Sequence, residues 1–383
     1  MLTGVLIFTL FSCNKVDNNV GFSHILDQKT YDSLEIEYNS LIDRIEKNGL
    51  GYGLDVFDNE IKHRPMAYGL VLSAESIRHQ FTGQVPALDN CKSVFHWLKQ
   101  NSDLNSNGII GYGLADEWDA FGDGTTNATN LEYAITTGIV INGLLDYYSI
   151  AAQDERLEIV NLVKQCFEPY LGNQYRGVDG FFNYSLSDND GYYDVFNPAI
   201  YLAGQMMRFS TLIDDNTLKN KLVNNAASQV DMIQDYILKD SNDGYYWMYG
   251  TYIDVPNDLV HTLYIIEGLK NYKMYGGDLN SLIVNNSTLH LSSFYVDKWY
   301  EYIVPELQTT ERNTRLWALG MLLYHLADER EVGLIVDLLP QFINYRTENG
   351  EFTLRENDSR VLIRQETHLL YGLSKLLYSN HLF

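Results

Sequence analysis

The fold is decided by an apolar stretch at residues 135–148, which has the sequence ITTGIVINGLLDYY. Apolar side chains cover nearly all sides of such a helix, a pattern typical of helices that are buried all round. Its two glycines would let a neighbouring helix approach closely. Stretches of the same kind are LYIIEGLKNY at 263–272, LWALGMLLYHL at 316–326 and HLLYGLSKLLY at 368–378. A chain that repeats one kind of buried helix is predicted to be a helical repeat protein.

A turn motif, Asn-Gly or Asp-Gly followed by a short aromatic segment, recurs upstream of these helices. Its five copies begin at Asn48, Asn107, Asp179, Asp243 and Asn349. Gly is a common helix stop because it tolerates the left-handed conformation. An amphipathic segment precedes each copy, at 31–47, 86–100, 153–172, 214–239 and 331–346. Since amphipathic helices keep one polar face, we expect them to lie outside the apolar ones.

A second signal opens each apolar helix: a polar or charged residue, followed four positions later by an aromatic residue or His. The six pairs are Arg64/Tyr68, Thr129/Tyr133, Asn197/Tyr201, Asn257/His261, Asn313/Trp317 and Arg364/His368. Together the two signals predict six hairpins, each with an outer helix, a short loop and an inner helix, which form a single domain over residues 31–383. The fifth hairpin is the least regular, because it lacks the Asn-Gly turn; its outer helix is expected near 285–303.

Six such hairpins can close into a ring, and closure removes the need for capping repeats. This architecture resembles the (α/α)6 toroid of the six-hairpin glycosidase superfamily and of related polysaccharide lyases and uronyl epimerases. The resemblance covers roughly residues 30–383 and rests on architecture and periodicity rather than on a catalytic motif. It implies an all-α fold with short extended loops at the inner-helix mouth, and a carbohydrate-active enzyme. An open α-solenoid is the alternative fold.

In such a toroid the inner helices all begin at one end, and residues four positions apart share a helix face. One axial cavity is therefore expected to be ringed by Tyr68, Tyr133, Tyr201, His261, Trp317 and His368. One turn nearer the mouth we expect Arg64, Asn197, Asn257, Asn313 and Arg364. Concave aromatic pockets with convergent polar groups are typical ligand sites. In the alternative interpretation, the rings only fill the barrel and the Asn side chains only cap helices.

The densest acidic cluster is LADEWDAFGDG at residues 114–124, just before the second inner helix. Glycoside hydrolysis needs one carboxyl as proton donor and a second as nucleophile or base. The candidates in this loop are Asp116, Glu117 and Asp119, and Trp118 is expected to stack on a sugar. The second carboxylate could also come from Asp55, Asp194 or Asp254. The alternative is a solvated acidic loop without a catalytic role.

Arginines also concentrate at the predicted mouth; they are Arg64, Arg312, Arg315, Arg355, Arg360 and Arg364. Arg forks bind carboxylates bidentately, and a uronic acid held in this way has its adjacent C–H acidified. The candidates for the base and acid of a β-elimination or epimerisation are then His261, His368 and either Tyr133 or Tyr201. Local salt bridges are the simpler interpretation. Hydrolysis leads, a uronate lyase or C5-epimerase is the alternative, and a non-catalytic glycan-binding lipoprotein is the third hypothesis.

The N-terminus indicates export. Residues 2–11, LTGVLIFTLF, form an apolar run that is too short to span a bilayer and fits the core of a signal peptide. The segment Leu10-Phe11-Ser12-Cys13 resembles a bacterial lipoprotein signal, although no Lys or Arg precedes the run. The resemblance implies a signal peptide over 1–12, lipidation of Cys13, a tether over 13–30 and a location in the cell envelope. An unprocessed apolar N-terminus is the alternative.

Composition restricts the partners. The chain of 383 residues has 27 Lys+Arg against 50 Asp+Glu, a net charge of -23, which would repel a nucleic-acid backbone. The 29 Tyr outnumber Phe and Trp combined and suit a ligand that stacks on rings, above all a sugar. We expect a glycan substrate, contact with the membrane only through the anchor, no nucleic acid, and a monomer.

No metal or cofactor is expected, because no dinucleotide, phosphate-loop or zinc motif occurs in the sequence. Residues 103–108, DLNSNG, resemble the start of a calcium loop, but Leu114 stands where that loop requires Glu. A structural Ca²⁺ is the alternative. Cys91 and Cys166 show no metal or redox spacing. They are expected to be buried free thiols, with a disulfide as the alternative.

Overall fold

The computed structural model describes residues 26–57, 59–239, 244–279, 291, 293–303, 314–356 and 358–378. Within these ranges the α-helices are α1 (Gln28–Lys47), α2 (Pro65–Thr82), α3 (Val85–Gln100), α4 (Ala134–Tyr148), α5 (Gln153–Phe167), α6 (Phe196–Ser210), α7 (Asn216–Gln234), α8 (Leu259–Met274), α9 (Leu316–Glu329), α10 (Val332–Leu338) and α11 (Ile363–Tyr378). The predicted signal peptide, Cys13 and most of the tether lie outside the described residues, as do Arg312 and Asn313. None of the described helices combines the length and the hydropathy needed to cross a bilayer.

Six helices form an inner ring. The helices α2, α4, α6, α8, α9 and α11 pack side by side in that order, and α11 packs against α2. The ring therefore closes, which confirms the toroid and excludes the open solenoid. The apolar stretch that decides the fold becomes α4, in which all residues but Asp146 and Tyr148 are buried.

Glycines set the spacing of neighbouring inner helices. A Cβ atom on Gly268 of α8 would lie 2.3 Å from the Ile200 carbonyl oxygen of α6, and one on Gly372 of α11 would lie 2.3 Å from the Gly320 carbonyl oxygen of α9. No side chain fits into either gap, so the recurrent Gly of the repeat is required by close approach of the backbones.

The amphipathic helices lie outside the ring, as predicted. Each packs on the inner helix that precedes it: α3 on α2, α5 on α4, α7 on α6 and α10 on α9, while α1 packs on α11. The short turns join an inner helix to the next outer helix, for example at residues 83–84. The segments from outer to inner helices are longer than expected, and they form the mouth. In the fifth hairpin, residues 293–303 contain no helix but a turn with a bridge between Tyr295 and Trp299.

The mouth loops carry the short extended segments that were predicted. They are β1 (Tyr52–Gly53) with β2 (Lys62–His63), β3 (Leu238–Lys239) with β4 (Tyr245–Tyr246), and β5 (Met248–Gly250) with β6 (Ile253–Pro256), each an antiparallel pair. Single bridges also link different loops, such as Tyr133 with Ser185 and Val195 with Gly250. Neighbouring loops therefore support one another around the opening.

The first and last helices meet along a seam. Arg44 near the end of α1 pairs with Glu366 near the start of α11 at 3.3 Å, and Tyr38 of α1 packs on Tyr378 at the end of α11, with ring centroids 5.2 Å apart. The two helices are thus antiparallel. As a result, α11 ends and α1 begins at the end of the ring opposite the mouth, here called the base.

The two cysteines in the described part are free and buried, as expected. Cys91 lies on α3 and Cys166 on α5, and burial raises the pKa of both thiols. Neither thiol is therefore a thiolate near neutral pH.

Candidate active site

A cavity opens at the mouth, between the N-terminal turns of the inner helices; its space, including the part open to solvent, is about 510 Å3. Its wall includes six residues singled out from the sequence: Tyr133, Asn197, His261, Trp317, Arg364 and His368. The remaining wall residues are Phe57, Met66, Leu114, Ile135, Thr136, Tyr184, Val260 and Tyr264. No described residue of this wall carries a carboxylate.

A second cavity lies between the C-terminal halves of the inner helices at the base; its space, including the part open to solvent, is about 700 Å3. Its charged side chains mostly pair with one another. Arg208 binds Asp146 at 2.7 Å, and Lys270 and Lys375 both bind Asp328. Because these charges are satisfied within the protein, the mouth cavity is the better candidate for a ligand site.

Three buried polar atoms in the wall of the mouth cavity lack a hydrogen-bond partner among the described residues. They are Thr136 Oγ1, Asn197 Oδ1 and Trp317 Nε1. Each of these side chains is more than nine-tenths buried, and buried polar groups without partners are rare because they are costly. A ligand rich in hydroxyl groups could accept from the indole and donate to the amide oxygen.

His261 is held by the residue that caps its own helix. The Asp258 carboxylate accepts hydrogen bonds from the His261 backbone N–H at 3.0 Å and from its Nδ1 at 2.7 Å, and Arg315 donates to it at 2.5 Å. Burial alone would raise the pKa of Asp258, but His261 and Arg315 hold this pKa below its usual range. His261 Nε2 has no partner among the described residues, so it is the nitrogen available to a ligand.

His368 forms a neutral pair with Tyr264. Its Nδ1 lies 2.6 Å from the Arg364 carbonyl oxygen, and its Nε2 lies 2.7 Å from the Tyr264 hydroxyl. Because a carbonyl can only accept, Nδ1 carries the proton and Nε2 accepts from the hydroxyl. Burial lowers the pKa of His368 to about 3, so this imidazole is uncharged at neutral pH.

Arg364 supplies a fixed guanidinium group. It lies over the rings of Phe57 and Trp317, 5.1 and 4.8 Å from their centroids. Its Nε and one terminal nitrogen bind the Asp55 carboxylate at 2.9 and 2.8 Å. The other terminal nitrogen, NH1, has no hydrogen-bond partner among the described residues. The charge of Arg364 is therefore already matched by Asp55, while NH1 remains available as a donor.

Tyr133 is the N-cap of α4, and its hydroxyl accepts a hydrogen bond from Asn127 at 3.1 Å. Two other tyrosines of the expected ring lie outside the wall. The Tyr68 hydroxyl binds His63 and the Gly49 carbonyl, and Tyr201 lies one turn inside α6, with its hydroxyl 3.5 Å from Glu267. The inner helices begin at different points relative to these residues, so the six do not share one level.

Leu114, the first residue of the acidic loop, belongs to the cavity wall, but the acidic side chains of the loop lie beside the cavity. Asp116 binds Lys62 at 2.8 Å and also pairs with Arg64, while Glu117 is exposed. Asp119 accepts hydrogen bonds from the backbone of Gly122 and Gly124, which closes a turn. Arg64 is thus occupied by a carboxylate of this loop. Trp118 packs edge-on against the cavity residue Phe57, with ring centroids 4.8 Å apart.

Two further features predicted from the sequence, Asn257 and the possible calcium loop, lie outside the cavity wall. Asn257 is buried just before α8 and lies outside the wall; neither of its amide atoms has a partner among the described residues. Asp103, in the possible calcium loop, accepts hydrogen bonds from the backbone N–H groups of Asn107 and Gly108. In the described ranges, no three His, Cys, Asp or Glu side chains are grouped as metal ligands.

The sequence assigned no role to four residues of the site, which are Tyr264, Tyr184, Thr136 and Asp258. Local spacing could have found two of them. Asp258 stands three residues before His261, which is the spacing of a helix cap, and Tyr264 stands three residues after it, on the same helix face.

No protein-family model matches the chain, and no curated protein matches it. Among solved structures it is similar to a D-mannose isomerase, at 12% identity and a TM-score of 0.61, over 90% of this chain and 97% of that one. A sugar epimerase from a ruminal bacterium has 12% identity and a TM-score of 0.59, over 90% and 98%. The unsaturated glucuronyl hydrolase of Bacillus sp. GL1 has 10% identity and a TM-score of 0.60, over 90% and 96%. These likenesses confirm the six-hairpin toroid as the fold.

Proposed function

We propose that the chain is a carbohydrate-active enzyme that transfers a proton at a sugar carbon next to a carbonyl group, as in epimerisation or aldose–ketose isomerisation. The observation that carries the proposal is the chemistry of the cavity wall. It offers two histidines, several tyrosines and an arginine, with no carboxylate among the described residues. Such a set suits acid–base chemistry on carbon.

His261 would be the base. Its Nε2, which has no partner among the described residues, takes the proton from the carbon. The Asp258 carboxylate, bound to Nδ1, stabilises the imidazolium that results. The same imidazolium can return the proton to the former carbonyl carbon. The isomerisation is complete once the hydroxyl proton on the adjacent carbon's oxygen has moved to the enediolate oxygen, which leaves the new carbonyl group at the adjacent carbon. Epimerisation instead needs a proton carrier on the other face of the sugar, and the Tyr264–His368 pair is the available candidate.

Arg364 would stabilise the enediolate. When the proton leaves, its electron pair moves onto the carbonyl oxygen, and the negative charge needs a fixed donor nearby. Among the described residues NH1 has no partner and can take this role, because the bidentate contact with Asp55 uses the other edge of the guanidinium group. The stacking on Phe57 and Trp317 keeps the group in position.

The wall favours this reaction over hydrolysis and over a reaction on a uronate. Hydrolysis needs a pair of carboxylates around the glycosidic bond, and the described wall has none. A uronate would place a second negative charge near Asp55, which already matches Arg364, so a neutral sugar is the better ligand. Similarity to an isomerase and an epimerase accords with this choice, and similarity to a hydrolase keeps hydrolysis as the second candidate.

The test is proton exchange in heavy water. Neutral reducing mono- and disaccharides are incubated with the purified protein in D2O, and NMR follows both the carbon next to the carbonyl and the products. We expect deuterium at that carbon, together with an epimer or a ketose. New reducing ends from a glycan without deuterium on carbon would support hydrolysis instead, and no change in any sugar would contradict both reactions.

One variant assigns the base. His261→Gln should lower kcat by about 100-fold or more, since general bases contribute at least that much. The matched control is His96→Gln, because His96 is an exposed residue of the outer helix α3. An active His261→Gln protein would remove His261 from the mechanism.

A further inference from the structure

A row of aromatic rings leads away from the mouth cavity. Tyr184 belongs to the cavity wall, and Phe121 packs on it with ring centroids 5.6 Å apart. Tyr193 stacks on Phe121 at 4.2 Å, Tyr192 packs edge-on against Tyr193 at 5.1 Å, and Tyr252 lies 6.3 Å from Tyr192. Three separate mouth loops contribute to this continuous row.

Exposure rises along the row. Tyr184, Phe121 and Tyr193 are half-buried, whereas Tyr192 is 63% exposed and Tyr252 is 67% exposed. These two are the most exposed aromatic side chains among the described residues. Rings that only filled space between loops would be covered, so adjacent exposed rings at the open end of a row indicate a contact surface.

The outermost ring is held in an unusual conformation. Tyr252 has a φ of +59°, in the left-handed region that bulky side chains rarely adopt. The loop around it is fixed from below, because the Thr251 backbone N–H donates to the Asp194 carbonyl at 2.9 Å and Gly250 bridges Val195. Asp194 also accepts from the backbone N–H groups of Asp179 and Phe181. The surrounding loops therefore hold Tyr252 at a fixed place beside Tyr192.

We propose that this row, from Tyr184 to Tyr252, binds successive sugar units of a neutral oligosaccharide whose terminal unit occupies the mouth cavity. The C–H face of a pyranose ring is apolar and packs on an aromatic ring, while its hydroxyl groups stay in water. A uronate polymer is disfavoured, because acidic residues flank the row in the sequence: Asp119 and Asp123 stand on either side of Phe121, and Asp188 precedes Tyr192. The placement of the terminal sugar unit rests on the proposed function. The placement of the other sugar units rests on the aromatic row itself.

Binding and turnover can be measured separately. In the first experiment, the His261→Gln protein is tested by affinity electrophoresis in gels with a neutral soluble β-glucan, a neutral mannan or polygalacturonate. We expect retardation by a neutral glycan only, and its loss when Tyr192→Ala and Tyr252→Ala are added. Equal retardation with and without the two tyrosines, retardation by polygalacturonate alone, or no retardation in any gel would overturn the proposal.

In the second experiment, kinetics are compared over neutral oligosaccharides of increasing length. Removing both tyrosines should raise KM for the longest substrate by about tenfold, with kcat and the KM for the shortest sugar unchanged. The matched control is Tyr148→Ala at the base end of α4. The variant Tyr192→Trp/Tyr252→Trp, which keeps two rings, should restore the low KM. A rise in KM that is equal for all substrate lengths would contradict the binding of sugar units along the row.

The two proposals can fail separately. Retardation that depends on the tyrosines, in a protein that shows no deuterium exchange, would retain the binding row and reject the proposed reaction. Deuterium exchange in a protein whose KM does not depend on substrate length would retain the proposed reaction and reject the binding row.

Discussion

Glu267 occupies the axis of the ring near the base, where it is more than nine-tenths buried. The hydroxyl of Tyr371 donates to its Oε1 at 3.3 Å, while its Oε2 has no partner among the described residues. Burial, together with the nearby Asp146, raises the pKa of Glu267 to about 7. Its carboxyl group is therefore partly protonated at neutral pH.

This pKa predicts a pH dependence of stability. Folding raises the pKa of Glu267 from about 4.3, so its contribution is fully present below pH 4 and is lost as pH rises through 7. Relative to Glu267→Gln, the wild type should lose on the order of 3 kcal/mol of unfolding free energy over that interval. This difference in unfolding free energy is measured by urea unfolding of both proteins at pH 5 and at pH 8.

Burial likewise raises the pKa of Glu366 to about 7. Because Glu366 is present in both proteins, its contribution to the pH dependence cancels in the comparison. Glu117→Gln, at an exposed position, is the control and should leave the pH dependence unchanged. Parallel stability curves for wild type and Glu267→Gln would mean that Glu267 titrates as it does in water.

Single residues also show how far the sequence could predict the site. The pairs of residues four positions apart identify one face of each inner helix. Members of these pairs that lie in the cavity wall include His261, Trp317, Arg364 and His368. The spacing does not determine how deep a residue lies, and so it failed for Tyr201. Nor could it find the partner of Asp116, since Arg64 is distant in sequence and is brought there by the fold.

At the scale of the helices, the glycines of the inner ring give a direct prediction. Gly268→Ala would place a methyl group 2.3 Å from the backbone of α6, and overpacking of this kind costs about 1–3 kcal/mol. Gly333, on the outer helix α10, has no atom of the described residues within 4 Å of a new Cβ. Gly333→Ala should therefore stabilise the protein by up to about 1 kcal/mol. Urea unfolding should order the variants Gly333→Ala, wild type, Gly268→Ala, and equal midpoints for all three would contradict close packing at Gly268.

The helices themselves were predictable because their signals are local. Apolar character on all sides predicted the inner helices. Amphipathic segments that end in Asn-Gly or Asp-Gly predicted the outer helices. The fifth hairpin lacks that turn, and the predicted helix near 285–303 fails over 293–303, where a bridge between Tyr295 and Trp299 forms instead. Bridges between loops, such as that of Tyr133 with Ser185, join distant segments and leave no periodic trace.

For the whole molecule, the seam predicts tolerance of circular permutation. The end of α11 lies beside α1 at the base, where a sixth inner-to-outer turn would stand. A flexible linker from residue 378 to residue 28, with new ends at the exposed turn between Gly83 and Gln84, would preserve every helix contact. We expect cooperative thermal unfolding and wild-type helix content by circular dichroism. A permutant opened between Val140 and Ile141, inside α4, is the control and should not fold; failure of both would show that the seam depends on separate chain ends.

The position of α1 also bears on orientation. Since α1 begins at the base, the described chain enters the ring on the side away from the mouth. If Cys13 carries a lipid, as the sequence predicts, the bilayer would face the base and the cavity would open towards the surrounding medium. The net charge of -23 would keep the body off an anionic lipid surface, so that a long glycan could reach the exposed tyrosines without meeting the headgroups.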